Sequence, residues 1–148
     1  MEKSFVMLKP GVLQRRLVGD IIKRFERCCL KIVAVKLMQI SKELAEKHYA
    51  EHRGKDFYPS LIEYITSGPV VVMVLQGTHA VKVIRKISGA TNPLEAPPGT
   101  IRGDFALITQ KNVIHASDSP ESAAREISLF FTEEEILDYE LPNAKWVK

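Results

Sequence analysis

Asn112-Val-Ile-His115-Ala-Ser-Asp-Ser119-Pro120 reads as the end of one structural element and the start of the next. Apolar β-branched residues lead up to His115. Ser119 followed by Pro120 has the chemistry of a helix start: a hydroxyl that accepts from an orphan backbone N–H, then a residue whose missing N–H costs nothing in the first turn. The strand is predicted over residues 105–116, and the helix after it carries Ala123, Ile127 and Phe130 inward. A strand running into a helix in this way places His115 at a strand end, where ligands collect in α/β sheets and where a helix N-terminus attracts anions.

Working outward, residues 4–9 (SFVMLK) form a first strand stopped by Pro10-Gly11. Val18, Ile21, Ile22, Phe25 and Cys29 recur at helical spacing, with Lys23, Arg24, Glu26 and Arg27 between them. Residues 31–40 are rich in β-branched side chains and contain no breaker, which predicts a second strand. Ser41 caps a helix predicted over 42–52, and Tyr58, Leu61, Ile62 and Ile65 share a face of the next, before Gly68-Pro69. Residues 69–76 are apolar enough for a central strand. Thr78 starts a helix with Val81, Ile84 and Ile87 inward and Gly89 at its C-terminus. Residues 89–104 (GATNPLEAPPGTIRGD) read as one long irregular loop, and Thr132 with Glu135 reads as the capping box of a last short helix. The order predicts an α/β sandwich, helices covering one sheet, with no linker or repeat.

The chain has 148 residues, 45% hydrophobic and 26% charged, which suits a single domain over 1–148 and excludes disorder and coiled coil. A chain of this length buries roughly 70% of its unfolded surface, so it needs no metal or disulfide to hold a core. The net charge of +3 conceals a polarity: residues 1–116 carry 18 basic and 10 acidic side chains, residues 117–148 carry 3 and 8. A body of +8 with a tail of −5 suggests an anionic ligand. Adjacent Cys28 and Cys29 cannot pair without strain and read as reduced thiols; with no leader-like segment before Phe5 and no apolar run of membrane length, the expectation is a cytoplasmic protein.

The chain has no GxxxxGK[ST] loop, GxGxxG, paired CxxC or GxSxG, so phosphate chemistry would need another scaffold. A neutral imidazole at His115 could attack phosphorus without a separate base, provided its other nitrogen is held, and Glu126, about two helical turns past the Ser119 cap, could hold it. On His115 alone, a hydrogen-bonded core histidine is about twice as common an arrangement. Arg85, Lys86, Thr91, Asn92, Thr100 and Arg102 flank the long loop with the forks and hydroxyls that phosphate takes, although a solvated loop carries similar residues. Lys9, at a strand end before a turn, is a third candidate.

Two other classes compete. His48-Tyr-Ala-Glu51-His52 fits the HxxEH zinc pattern, but such a site needs a distant third carboxylate and a large cleft, so a plain helix surface outweighs it. An RNA-recognition module is the alternative, and Arg102-Gly-Asp-Phe-Ala106 begins like its signature with an acid where the stacking aromatic belongs.

Asn112-Val-Ile-His-Ala-Ser-Asp-Ser119, with Gly99-Thr-Ile-Arg-Gly-Asp104 and Ala90-Thr-Asn-Pro93, closely resembles nucleoside diphosphate kinase. The likeness runs from Phe5 to about Asp138 and takes in Lys9-Pro10, Arg16-Leu-Val-Gly19, His48-Tyr49 and Ser67-Gly-Pro-Val70. It implies a ferredoxin-like βαββαβ fold with a four-stranded antiparallel sheet, and ping-pong transfer of a γ-phosphate between nucleotides through a phosphohistidine. By the same resemblance His115 is the nucleophile through Nδ1, Glu126 holds its other nitrogen, and Ser117 supports that carboxylate. Lys9, Tyr49, Arg85, Thr91, Arg102 and Asn112 fall where the family binds phosphates or sugar hydroxyls, and Phe57 with Leu61 where it stacks the base. Mg²⁺ would arrive held by nucleotide phosphates rather than by a protein cage. The implied partners are nucleoside di- and triphosphates and further copies of the chain, as tetramer or hexamer, with no membrane and nucleic acid not the main ligand. Three departures lie nearby: Pro10 runs directly into Gly11-Val12-Leu13, Ala116 replaces the usual glycine after the histidine, and Ala90 stands where many members have glutamate.

Overall fold

The computed structural model describes residues 1–147; Lys148, one of the three basic residues of the acidic tail, lies outside them. Four strands, β1 (Glu2–Leu8), β2 (Lys31–Met38), β3 (Val70–Gly77) and β4 (Ile114–Ala116), form one antiparallel sheet in the order β2-β3-β1-β4. Between them run α1 (Val18–Arg27), α2 (Lys42–His48), α3 (Tyr58–Ile65), α4 (Ala80–Ser88) and α5 (Ile101–Phe105), and α6 (Pro120–Phe130) follows β4. This is the ferredoxin-like βαββαβ topology with α2 and α3 added in the β2–β3 connection and α5 after α4.

Alternation along β1 explains the layering. Val6 and Leu8 turn to one face, joining Ile21 and Phe25 of α1, Ile84 of α4 and Ile101 of α5; Phe5 and Met7 turn to the other, joining Ala45 of α2, Ile62 and Ile65 of α3 and Phe130 of α6. β3 is buried at nearly every position, as a central strand covered on both faces must be. With both faces covered by helices, the sheet offers no open platform for stacking bases, which removes the structural basis of the RNA-module reading.

Several boundaries differ from the sequence reading. The expected strand over 105–116 shrinks to Ile114–Ala116: Phe105 ends α5, residues 109–111 form a 3₁₀ turn, and Val113 sits at φ +78°, which breaks the extended path. The expected loop over 89–104 contains a 3₁₀ turn at Pro93–Glu95 and the whole of α5 but its last residue, opened by Thr100, whose Oγ1 accepts from Gly103 N–H at 3.0 Å. The helix expected over 42–52 ends at His48, with only a 3₁₀ turn at Ala50–His52, so the HxxEH pair does not share one helix face. α4 begins at Ala80 rather than Thr78 because His79 is left-handed at φ +54°. Cys29 lies past the end of α1 at φ +68° and is exposed rather than inward, and both thiols are free. The final helix is a 3₁₀ turn at Glu133–Glu135, where Glu135 accepts from Thr132 N–H at 2.8 Å.

Gly103 allows α5 to close against the chain before it. A Cβ there would lie 2.0 Å from the Pro97 carbonyl oxygen, a backbone atom with nowhere to retreat. Gly103→Ala is expected to lower stability by about 1–3 kcal/mol, read as a drop in the urea midpoint. An unchanged midpoint would mean that α5 is not held where described.

Candidate active site

β1 and β4 lie side by side, with Met7 opposite His115 and Leu8 opposite Ile114. The chain leaves β1 at Lys9, whose backbone N–H donates to Val113 O at 2.9 Å, so the Lys9 side chain emerges beside the strand that carries His115. α6 then folds back over β1. Pro120 and the Ser119 cap, whose Oγ accepts from Ser122 N–H at 3.0 Å, start that helix, and its inward face carries Glu126 with Ala123 and Phe130. The Glu126 carboxylate is therefore delivered to His115 by helix periodicity, with Oε1 2.8 Å from Nε2.

Ser117 Oγ donates to the same Oε1 at 2.6 Å, and the residue is fully buried. Burial pushes the Glu126 carboxyl up, but the hydrogen bond from His115, the charge interaction with that ring and the Ser117 bond outweigh it, so its pKa is lowered. An ionised carboxylate accepting from Nε2 fixes the tautomer of His115 and leaves Nδ1 as the ring nitrogen without a protein partner among the described residues. The His115 side chain keeps 23% of its surface open.

That surface opens into a cleft of about 230 Å³, lined also by Lys9, Arg85, Thr91, Arg102 and Asn112. Backbone carbonyls and the Asn112 amide hold the long side chains in place. Lys9 Nζ donates to Asn112 Oδ1 at 2.7 Å, and Asn112 Nδ2 donates to Thr91 O at 3.0 Å. Arg102 donates to Gly89 O at 2.8 Å and Ile114 O at 2.6 Å, and Arg85 to Ala116 O at 3.1 Å. The Arg102 Nε, although buried, has no partner among the described residues, an unspent donor among the cations of the lining. Burial, then repulsion from Arg102, lowers the Lys9 pKa from 10.5 to about 7. Tyr49, also in the lining, has its pKa raised by burial and then by the Glu126 charge, so its hydroxyl stays a donor.

The structure thus brings Lys9, Tyr49, Arg85, Thr91, Arg102, Asn112, His115 and Glu126 around one cleft, with Ser117 behind Glu126. It leaves two expected residues outside the lining. Phe57 is half-exposed, its ring 5.4 Å from that of His52, which does line the cleft; Leu61 packs against the core beneath α3. The turn after Lys9 closes with Gly11 at φ +98°, with Val12 N–H donating to Lys9 O at 3.2 Å and Tyr64 Oη to Pro10 O at 3.1 Å. Ala116 is strand-paired with Val6 and has no positive φ, so its methyl puts no strain on the backbone beside His115. Glu51, His52, Asp118 and Ser122 complete the lining without having been singled out as ligands of an anion, and the buried His48 sits among them. His48, Glu51 and His52 carry the HxxEH pattern and Asp118 lies in the motif around His115, but only tertiary proximity places these four and Ser122 in the cleft.

The nucleoside diphosphate kinase family model matches residues 2–136. The chain belongs to the nucleoside diphosphate kinase family. It is 59% identical over 147 residues to the nucleoside diphosphate kinase of Archaeoglobus fulgidus, covering 99% of this chain and 97% of that protein. It is 58% identical to that of Listeria monocytogenes serotype 4b, covering 99% and 100%. Among solved structures, a nucleoside diphosphate kinase family protein from Babesia bovis superposes with TM-score 0.97 at 41% identity over the full length of both chains. A halophilic nucleoside diphosphate kinase from Halobacterium salinarum, in complex with CDP, superposes with TM-score 0.97 at 46% identity, covering 99% of this chain and 98% of that one. Three basic side chains, Lys9, Arg85 and Arg102, and a histidine held by a carboxylate, His115, line the cleft.

Proposed function

We propose that the chain, acting as one domain, moves the γ-phosphoryl group of a nucleoside triphosphate onto a nucleoside diphosphate through a phosphohistidine at His115. The observation that carries this reading is the 2.8 Å bond from His115 Nε2 to a Glu126 carboxylate held ionised, in a cleft also lined by Lys9, Arg85 and Arg102. The Nδ1 lone pair attacks the γ-phosphorus as the bond to the β–γ bridging oxygen breaks, and the diphosphate departs with that electron pair. The Nε2 proton stays in its bond to Glu126, whose charge stabilises the phospho-imidazolium. A second diphosphate then attacks along the reverse path. Lys9, Arg85 and Arg102 hold the phosphates, Tyr49, Thr91 and Asn112 donate to phosphate or sugar oxygens, and Phe57 with Leu61 receives the base at the rim.

The residues suit magnesium that arrives on the nucleotide. The cleft's one buried carboxylate is already committed to His115 and Ser117, leaving Glu51 and Asp118, both exposed, to accept from the water shell of an ion held by phosphate oxygens. Bound there, Mg²⁺ neutralises charge on the phosphate chain. A homo-oligomer, tetramer or hexamer, is supported by the edge strand β2, where Val35 and Leu37 are 51% and 62% exposed, beyond the start of the strand that Leu137 covers by donating to Val33 O at 2.9 Å. Among the described residues no helix is long and apolar enough to cross a membrane, and two reduced thiols support a cytoplasmic setting.

Incubation with γ-labelled ATP is expected to leave an acid-labile, alkali-stable label on the protein that chases into added CDP. A protein that takes no label, or whose label does not move to CDP, overturns the mechanism.

The lowered pKa of Lys9 carries a pH prediction. Above about 7 the free site holds a neutral amine, and phosphate oxygens draw the proton back, so nucleotide binding takes up a proton. Affinity is expected to fall by up to roughly tenfold per pH unit above 7, and calorimetry in buffers of different ionisation enthalpy should show uptake. Stability of the nucleotide-free protein runs the other way, rising between about 7 and 10.5 because only the unfolded chain keeps the Lys9 proton there. Binding without proton uptake at pH 8 would exclude a neutral Lys9.

A further inference from the structure

His48 is 3% exposed, yet neither ring nitrogen has a hydrogen-bond partner among the described residues. Buried imidazoles are rarely left so, and this one lies edge-on to His115, with ring centroids 4.7 Å apart at 82°. Phe5 and Phe130 flank it at 6.2 and 5.4 Å, so its one polar outlet is the cleft it helps to line. One ligand atom from each of His48, His115 and Glu126 can be chosen so that all lie within 4.8 Å of one another. Two imidazoles and a carboxylate facing an open space make the donor set of a zinc site with a free fourth position.

We propose that His48, His115 and Glu126 form a zinc-binding site at the floor of the cleft, and that zinc bound there excludes phosphorylation of His115. Around a tetrahedral ion with bonds of about 2.0–2.1 Å, ligand atoms sit roughly 3.4 Å apart. The His115–Glu126 pair must therefore open from 2.8 Å, and the widest separation must contract from at most 4.8 Å, which small side-chain rotations supply. Ser117 retains its bond to the carboxylate and orients it as an outer-shell partner. Burial, and then the neighbouring His115, lower the His48 pKa from 6.5 to about 3, so zinc has no proton to displace there at neutral pH. Zinc on Nε2 of His115 takes the place of the proton that Nε2 donates to Glu126; that proton moves to Nδ1, whose lone pair is then no longer free to attack. The ligand set joins two elements and the strand end, whereas the HxxEH reading paired His48 with His52 along one segment.

Metal binding stands apart from the phosphohistidine reading; only the exclusion rests on it. Co²⁺ serves as a spectroscopic probe for zinc. Titrated into the metal-stripped full chain without nucleotide, it is expected to bind at one equivalent with the visible absorption of a tetrahedral ion. Zinc should displace it. His48→Phe, which keeps a ring against His115, should weaken binding by at least about 100-fold, and His52→Asn should leave it unchanged. His48→Gln serves the same purpose if His48→Phe fails to show a cooperative thermal transition. No bound Co²⁺, or binding that survives both His48 variants, overturns the site. Protein first phosphorylated with ATP should bind Co²⁺ at least tenfold more weakly, and equal affinity would overturn the exclusion. If ATP leaves no label, it is the phosphohistidine reading that fails, while the His48 result on Co²⁺ still decides the site.

Discussion

His115→Asn is expected to leave no label on the protein after incubation with γ-labelled ATP, and to lower turnover by at least about 10⁴-fold. Asparagine has no nucleophilic nitrogen, and no other side chain of the cleft can take over. Lys9 is committed to Asn112, Tyr49 keeps its proton, and His48, 3% exposed between Phe5 and Phe130, is open enough to the cleft for an ion but not for a phosphate chain. Binding of the diphosphate should stay within about threefold of the unaltered protein, because Lys9, Arg85 and Arg102 are held by backbone carbonyls and Asn112 rather than by His115. Rapid-quench labelling and calorimetric titration with a nucleoside diphosphate separate the two effects. A labelled His115→Asn protein would move the phosphoryl carrier elsewhere.

Glu126→Gln should cost less than losing the nucleophile but more than an ordinary outer-shell change, about 10²-fold in the rate of phosphoenzyme formation with KM nearly unchanged. The amide oxygen can still accept from His115 Nε2, so the ring keeps its orientation. What goes is the negative charge that stabilises the phospho-imidazolium, together with the acceptor that meets both Nε2 and Ser117 Oγ at one oxygen. Glu126→Ala should fall further, since it also frees the tautomer. Acid does the same reversibly. The Glu126 pKa is lowered on folding, so its contribution to stability is complete above the ordinary carboxyl value and is lost as pH falls through the depressed one. Stopped-flow measurements of the phosphorylation step check the rate, and an unchanged rate in Glu126→Gln would show that orientation alone is what the carboxylate provides.

The elements that sequence reading places well are those whose signals are local. The Ser119-Pro120 pair starts α6, Ser41 caps α2 by accepting from Leu44 N–H, and the apolar run before Gln76 becomes the central strand β3. Each needs only nearest neighbours or a period of 2 or 3.6 residues. The spacing of Glu126 from the cap likewise puts it on the inward face of α6, within reach of His115 once helix and strand pack. The misread segments answer to distant contacts. β4 pairs with β1 through three residues only, because Val113 turns left-handed just before it. The loop after α4 folds because Thr100 caps α5 and Gly103 lets Pro97 approach, contacts invisible to periodicity.

The site divides the same way. His115 at a strand end, Glu126 two turns into the next helix, and Lys9, Arg85 and Arg102 as cations for phosphate were legible in the chain, because residue type and the resemblance of NVIHASDS and GTIRGD carry them. That His48 is buried against His115 with both nitrogens unpartnered was not, nor that Lys9 loses charge beside Arg102. Burial and electrostatic environment are properties of what packs around a group, and here the packing joins the ends of β1 and β4 to α2, α5 and α6, segments far apart in the chain. The sequence by itself determined which chemistry is present and the elements that carry it. The tertiary structure alone decided which of those groups meet, which lose their water, and hence which are charged.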